Sequence, residues 1–194
     1  LAVIKTAELN NKKFSANSAK RCYFCKKELF SRLITIAERN KFNFVLDASN
    51  ISDKEDYRPG NIAKQEFRIK SPLLEAGFSK DDIRKLSKRL RLASWNKPSL
   101  ACLASRIPYG TKITARLLTR IDQAEAYLIS LGFRQVRLRH YIRLCRIEVD
   151  QNEMHRLLSK RQAIVEQLKG LGYSYITVDL EGYRTGSLNE VIKK

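Results

Sequence analysis

The stretch Phe42-Asn43-Phe44-Val45-Leu46-Asp47-Ala48-Ser49-Asn50 joins an apolar run to a polar run that begins with a carboxylate. The apolar run predicts a short buried strand over residues 42 to 46. The polar run continues as DASNISDKEDYRPGN and predicts a loop. A strand followed by a polar loop and then a helix is typical of α/β proteins, which bind ligands at the carboxyl ends of their strands.

Helices are predicted on both sides of this strand. Residues 26 to 38 place Leu29, Phe30, Leu33, Ile34 and Ala37 on one stripe at helical spacing. The sequence RCYFCKK, residues 21 to 27, therefore lies at a helix entrance. After the strand, Ser79 to Asp82 forms a capping box, and the helix that it opens is predicted to turn Ile83, Leu86 and Leu90 inward.

Regular periodicity breaks in NKPSLACLASRIPYGT, which predicts a domain junction. Beyond it, apolar residues from Leu117 to Leu131 recur every three or four positions and predict a helix that ends before Gly132. Alternating residues over 135 to 139 and 145 to 149 predict two strands that form a hairpin. A long helix over about residues 151 to 169 and a strand over 173 to 180 complete a small α+β domain.

Composition limits the class of protein. Of 194 residues, 43% are hydrophobic, which predicts a globular protein, and no apolar run is long enough for a membrane span. The four cysteines are too sparse for a secreted disulfide framework, so we expect a cytoplasmic protein. The net charge of +18 predicts an acidic partner, such as nucleic acid, a nucleotide, an anionic metabolite or a membrane surface. A solvated basic surface is the alternative.

Three cysteines form a candidate metal site. Cys22 and Cys25 lie three residues apart, and Cys102 lies in the predicted junction. With His140 or His155 as a fourth ligand these thiols would suit zinc, and alone they would suit an iron–sulfur cluster with one open iron. The spacing favours zinc, and ordinary packing cysteines remain an alternative. Cys145 shares a strand face with Ile147 and Val149, which predicts a core thiol.

Arginines form a candidate anion site. Arg137 and Arg139 lie two residues apart in a predicted strand, so both point to one face. Arg106 and Arg184 lie in segments predicted to be loops. Because guanidinium groups suit carboxylate and phosphate, these four arginines are candidate ligands of an anionic substrate, although exposed strand faces often carry charge.

Five stretches carry a resemblance to a known family. RCYFCKKELFSRL, LDASNISDKEDYRPG, KPSLACLASRIPYGTKIT, LGFRQVRLRHY and VDLEGYRTGSLN follow in that order. Over about residues 14 to 190 the chain resembles the LarE family, ATP-dependent sulfur transferases of the PP-loop ATP pyrophosphatase superfamily. DYRPG, CLASRIPYG and GYRTG are the most specific of these matches.

The resemblance implies an α/β fold. Residues 1–108 would be the C-terminal part of a PP-loop domain, of the adenine nucleotide alpha hydrolase-like kind, and residues 109–194 a small α+β domain for substrate and oligomerisation. The family's Ser-Gly-Gly-x-Asp-Ser phosphate loop has no counterpart here. Since the chain begins at Leu1, has Met154 as its one methionine and has Gly60 as its first glycine, a fragment is expected.

The resemblance also implies a reaction. ATP with Mg would adenylate a carboxylate of pyridinium-3,5-biscarboxylic acid mononucleotide, and sulfur would displace AMP to leave a thiocarboxylate. This step belongs to synthesis of the nickel-pincer nucleotide cofactor of lactate racemase. Some family members sacrifice a single cysteine, whereas members with three cysteines are thought to hold a 4Fe-4S cluster. The small anionic nucleotide and a homo-oligomer are the implied partners, with no membrane and no nucleic acid.

Site residues follow from matching positions. The resemblance makes Cys22, Cys25 and Cys102 the cluster ligands and places Cys102 at or next to the sacrificial position. It implies substrate contacts for a second set: Arg106, Glu125, Arg137, Arg139 and Arg184. Nucleotide or magnesium contacts are expected from the loop after the first strand: Asp47, Asp53, Asp56 and Arg58.

Two other functions stay open at this level. A tRNA-thiolating PP-loop relative would also combine three cysteines with a positive charge that suits an RNA backbone, although no recognisable RNA-binding module is present. A non-catalytic, basic binding module stabilised by zinc would close its metal site with Cys22, Cys25, Cys102 and a histidine.

Overall fold

The computed structural model describes residues 3–53, 58–97, 101–184 and 186–190. The chain divides into two compact units, Leu1–Lys97 and Pro98–Lys194. The domain boundary predicted after residue 108 stays a prediction. Within the described ranges, no helix is both long and apolar enough to cross a membrane.

The first unit is helical. Its helices are α1 (Lys12–Ser15), α2 (Arg21–Arg39), α3 (Gly60–Glu66), α4 (Pro72–Glu75) and α5 (Lys80–Arg89). Helix α2 packs against α3, and Phe30, Ala63 and Ile69 form a small core between them. The predicted helix entrance at RCYFCKK is confirmed, because α2 begins at Arg21.

The buried strand predicted over residues 42 to 46 is wrong. Phe42 and Phe44 are each 66% exposed, and the backbone makes one isolated parallel bridge, between Leu46 and Lys70. A strand is buried only where neighbouring strands and a covering layer exist. Among the described residues, the segment 42 to 46 has no neighbouring strand beyond that bridge and no layer that covers it.

The capping box of α5 is confirmed, but its inward face is not. The Ser79 hydroxyl accepts the Asp82 N–H, and the Asp82 carboxylate accepts the Ser79 N–H. Leu86 and Leu90 are nevertheless 40% and 61% exposed. Local hydrogen bonds fix where the helix starts, whereas burial of its face requires a packing partner.

The second unit places helices beside a mixed three-stranded sheet. It contains α6 (Ala115–Ser130), β1 (Val136–Tyr141), β2 (Leu144–Val149), α7 (Met154–Ser159), α8 (Arg161–Gly170) and β3 (Tyr175–Val178). Strands β1 and β2 form an antiparallel hairpin, which confirms that prediction, and β3 pairs with β2 in parallel. The long helix predicted over 151 to 169 is wrong in its continuity. A short 3₁₀ turn precedes α7, and the helix is interrupted at Lys160, between α7 and α8.

Apolar side chains of β1 and β2 build the core of this unit with α6 and α8. Among the fully buried ones are Ile121, Leu128, Leu138, Ile147 and Leu168. Cys145 is buried with them, as predicted, and burial raises the pKa of its thiol to about 12. The mixture of helices with a small sheet agrees with the α/β class at a coarse level.

Candidate functional site

Arg106 and Glu125 form a buried ion pair in the second unit. The Arg106 Nε and Nη2 atoms donate to the two carboxylate oxygens of Glu125, each at 2.8 Å. Glu125 projects from α6 and also accepts the N–H of Leu138 in β1 at 2.8 Å. The pair therefore ties the 3₁₀ turn Leu103–Arg106 to the helix and to the sheet.

The remaining donors of Arg106 hold the backbone around Cys102. Its Nη1 donates to the carbonyl of Ala101 at 2.9 Å, to that of Cys102 at 3.2 Å and to the Ser105 hydroxyl at 2.9 Å. Cys102 precedes the 3₁₀ turn, and its side chain is exposed. A solvent-accessible thiol thus sits on a backbone that a buried guanidinium holds in place.

Arg139 pairs with a carboxylate that sequence reasoning missed. Its Nε and Nη2 donate to Glu148 at 2.8 and 2.9 Å, and Nη2 also donates to the Ser187 hydroxyl at 2.6 Å. Its Nη1 donates to the carbonyl of Ser105 at 2.8 Å. Together these bonds occupy all but one of its N–H groups.

Arg137 shares one face of β1 with Arg139 and lies near the charge of Arg106. Its guanidinium is 5.3 Å from the ring centroid of Tyr183, and Nη1 donates to the Val136 carbonyl at 2.8 Å. Burial lowers the pKa of Arg137, and the nearby charge of Arg106 lowers it further. A desolvated cation beside a second cation favours an anion as its partner. Arg106, Arg137 and Arg139, with Glu125 and Glu148, are called the arginine cluster below.

Arg184 lies among carboxylates. It contacts Asp179 at 3.4 Å, Glu181 at 3.0 Å and Glu190 at 3.3 Å. The hydrogen bond to Glu190 is the largest cause that raises the pKa of Arg184. In this arrangement its charge is compensated by protein groups.

Of the predicted substrate residues, the structure brings Arg106, Glu125, Arg137 and Arg139 together. Glu148, Tyr183 and Ser187 were not among the residues predicted. One signal could have found Glu148, since it alternates with Ile147 and Val149 along β2 and so shares the face that carries the arginines of β1. The contacts from residues 183 to 187 are non-local and give no such signal.

The predicted nucleotide residues lie in the first unit. Burial raises the pKa of Asp47, but hydrogen bonds from Ser49 and Ser71 outweigh it and hold this pKa below its ordinary value. Asp53 pairs with Arg58 at 2.8 Å. Asp56 lies outside the described residues. A cleft of about 610 Å³ nearby is lined by other residues, among them Phe44, Lys64 and Lys70.

The predicted metal ligands come from both units. Cys22 and Cys25 lie on one side of the first turns of α2, partly buried, and the Cys25 Sγ is 3.9 Å from a Glu8 oxygen. Three thiolates are the donor set that an iron–sulfur cluster or zinc accepts. In the part of the chain that the structure describes, no three His, Cys, Asp or Glu side chains are grouped to hold a metal. The cluster and the zinc alternative both stay predictions.

No family model matches the chain. Three curated relatives do. An uncharacterized protein of Synechocystis sp. is 41% identical over 194 residues, which is 99% of this chain and 72% of that protein. The pyridinium-3,5-bisthiocarboxylic acid mononucleotide synthase of Lactiplantibacillus plantarum is 39% identical over 178 residues, which is 92% of this chain and 64% of the synthase. An uncharacterized protein of Methanocaldococcus jannaschii is 30% identical over 173 residues, or 89% of this chain and 68% of that protein.

The chain thus spans between 64% and 72% of the length of these relatives. Identity of this extent, over nearly the whole chain, agrees with the resemblance of the CLASRIPYG and GYRTG stretches. The chain belongs to the LarE family of sulfur transferases, the family of the pyridinium-3,5-bisthiocarboxylic acid mononucleotide synthase.

Proposed function

We propose that this protein is an ATP-dependent sulfur transferase that converts a carboxylate of pyridinium-3,5-biscarboxylic acid mononucleotide to a thiocarboxylate. The observation that carries this proposal is the 39% identity to the named synthase over 178 residues. The reaction would serve synthesis of the nickel-pincer nucleotide cofactor. A carboxylate is a poor electrophile, so activation must come first. A carboxylate oxygen attacks the α-phosphorus of Mg-bound ATP, and pyrophosphate leaves.

Sulfur then attacks the acyl carbon and AMP leaves. If Cys102 is the donor, its sulfur forms a thioester, and loss of the Cα proton breaks the Cβ–Sγ bond to release the thiocarboxylate. Cys102 would then become dehydroalanine. If Cys22, Cys25 and Cys102 instead hold a 4Fe-4S cluster, these residues would bind it and the cluster would supply the sulfide.

The arginine cluster supplies the charge for an anionic substrate. Arg137 is the member best suited to the substrate. Burial and the nearby charge of Arg106 both lower its pKa, so an anion would be a favourable partner for it. Arg106 and Arg139 donate most of their N–H groups to Glu125, to Glu148 and to backbone carbonyls. We therefore assign these two arginines to positioning the residues around the site. The exposed Cys102 lies on the turn that Arg106 holds.

The wider assignments are part of the proposal. The first unit would correspond to the later part of a PP-loop ATP pyrophosphatase domain, with Asp47, Asp53, Asp56 and Arg58 near the nucleotide. A cytoplasmic homo-oligomer is the expected state. These points rest on membership of the LarE family and on the polar loop after residue 46.

The test uses the protein with synthetic substrate, ATP and Mg. Substrate binding is measured first by calorimetry without ATP, and then AMP, pyrophosphate and thiocarboxylate are measured by chromatography with mass spectrometry. We expect binding that Arg137→Gln weakens, and thiocarboxylate formation that Cys102→Ser abolishes. Cys145→Ala is the matched control, because Cys145 is a core thiol outside the site.

The same spectra identify the source of sulfur. Loss of one H₂S from the peptide that contains Cys102 would assign the donor to that residue. An intact Cys102 with thiocarboxylate formed would assign it to another sulfide. Absence of substrate binding by the wild-type protein would overturn the proposed substrate.

A further inference from the structure

A cavity of about 330 Å³ lies at the start of α6. Its wall is formed by Thr114, Arg116, Leu117, Arg120, His140 and Ile142. His140 alternates with Arg139 along β1, so its side chain lies on the opposite face of the sheet from Arg137 and Arg139. The cavity is therefore separate from the arginine cluster.

Among the residues that the structure describes, the two arginines of this cavity lack the carboxylate contacts that several other arginines of the unit make. Arg106, Arg139, Arg146 and Arg184 each contact a carboxylate. None of the ion pairs in the described ranges includes Arg116 or Arg120. These two side chains are one turn apart on α6, so their like charges oppose each other.

The helix start makes the local charge more positive. The first turn of α6 contains no acidic residue, and Arg116 lies within it. A cation at this end is disfavoured, since the unpaired N–H groups of the first turn already carry partial positive charge. An anion in the cavity would relieve both this repulsion and that between the two arginines.

Arg120 is oriented before any ligand arrives. Its guanidinium lies 5.5 Å from the ring centroid of Tyr173. A cation–π contact uses none of the guanidinium N–H groups for a hydrogen bond to a protein acceptor, so these groups remain available to an oxyanion.

His140 forms an uncharged part of the cavity wall. The N–H of Ile142 donates to its Nε2 at 3.2 Å, so the proton of the ring lies on Nδ1, which is 3.3 Å from the Tyr173 hydroxyl. The positive charge of the cavity therefore comes from the arginines and from the helix start.

We propose that this cavity binds the phosphate group of a small ligand through Arg116 and Arg120 at the start of α6. The planar donor sets of two arginines match a tetrahedral oxyanion, and the cavity is large enough for a phosphate and a small attached group. This site is independent of the proposed sulfur transfer.

The protein's two histidines provide the readout. Inorganic phosphate and AMP are titrated separately at constant pH and followed by NMR, with sodium chloride at matched ionic strength as the screening control. We expect the ring signals of His140 and the amide signal of Ile142 to move and saturate, while the ring signals of exposed His155 stay in place. Saturation by both ligands assigns the site to the phosphate group itself, and saturation by AMP alone assigns it to a nucleotide phosphate.

Arg116→Gln is the decisive variant, because this exposed side chain does not pack in the core. Loss of one charged hydrogen-bonding group should weaken phosphate binding about tenfold. Arg134→Gln is the matched control, since it removes an equally exposed arginine of the same unit outside the cavity. Equal weakening by both variants, or equal signal changes with chloride, would overturn the proposal and leave only counterions around a chain of net charge +18.

Discussion

Glu148 is the most buried carboxylate of the second unit, with no exposed surface. It accepts hydrogen bonds from Arg139 and, at 3.0 Å, from Arg146. Two cations around one carboxylate offset the cost of removing its charge from water. Glu148 therefore holds Arg139 where its other donors reach Ser105 and Ser187.

Replacement of Glu148 by Gln should be strongly destabilising. It leaves Arg139 buried without a counterion, and removal of one partner of a buried ion pair costs about 3–5 kcal/mol in the free energy of unfolding. Urea unfolding monitored by circular dichroism measures this change. Glu166→Gln, on the exposed side of α8, is the control and should have little effect. A Glu148→Gln protein as stable as the control would show that the pair contributes nothing.

His140 should titrate below 6.5, because burial lowers its pKa and the charge of Arg120 lowers it further. As the pH falls below 6.5 the unfolded chain takes up this proton first, so the contribution of a neutral His140 to stability is complete above 6.5 and is lost as the pH falls toward the folded pKa. NMR titration should show that Arg120→Gln raises the pKa of His140. The free energy of unfolding, measured above and well below pH 6.5, should fall less with pH in His140→Gln than in the wild-type protein.

At the scale of elements, the turn after β3 connects the sheet to the arginine cluster. The Tyr183 N–H donates to the Val149 carbonyl at 2.8 Å, which places the Tyr183 ring beside Arg137. Gly182 makes this approach possible. Its φ is +69°, and a Cβ there would meet the Val149 carbonyl oxygen at 2.7 Å.

Gly182→Ala should therefore destabilise the second unit more than Gly110→Ala. Both positions have positive φ, and an L-residue pays about 1–2 kcal/mol for that conformation. Only Gly182→Ala adds a clash, since nothing lies within 4 Å of a Cβ at Gly110. Comparison of the two variants by chemical unfolding isolates the clash. Equal losses would indicate that the backbone at Gly182 moves away without cost.

At the scale of the whole molecule, one prediction concerns Cys22 and Cys25 of the first unit together with Cys102 of the second. Anaerobic analysis of iron, sulfide and zinc should find about four irons with matching sulfide if Cys22, Cys25 and Cys102 hold a cluster. The double variant Cys22→Ala, Cys25→Ala should then lose both, while Cys145→Ala should keep them. One zinc per chain and a colourless protein would instead assign the thiols to a structural site.

Much of the second unit could be predicted because its signals are local. Periodicity from Leu117 to Leu131 identified α6, and alternation identified the hairpin of β1 and β2 together with the buried Cys145. The same reasoning failed in the first unit, where an apolar run was expected to be a buried strand and an apolar helix face was expected to be inward. Periodicity specifies which side of an element is apolar, and burial depends on whether another element covers it.

The sequence by itself determined the family, the capping box at Ser79, the helix α6 and the hairpin of β1 and β2, and the common face of Arg137 and Arg139. Only the tertiary structure decided that Arg106 and Arg139 form hydrogen bonds with Glu125 and Glu148. It also decided that Arg116 and Arg120 meet His140 around one cavity. The physical reason is distance along the chain. Capping and periodicity act over a few residues, whereas the partner of a charged side chain is whichever group the packed elements bring within hydrogen-bonding reach.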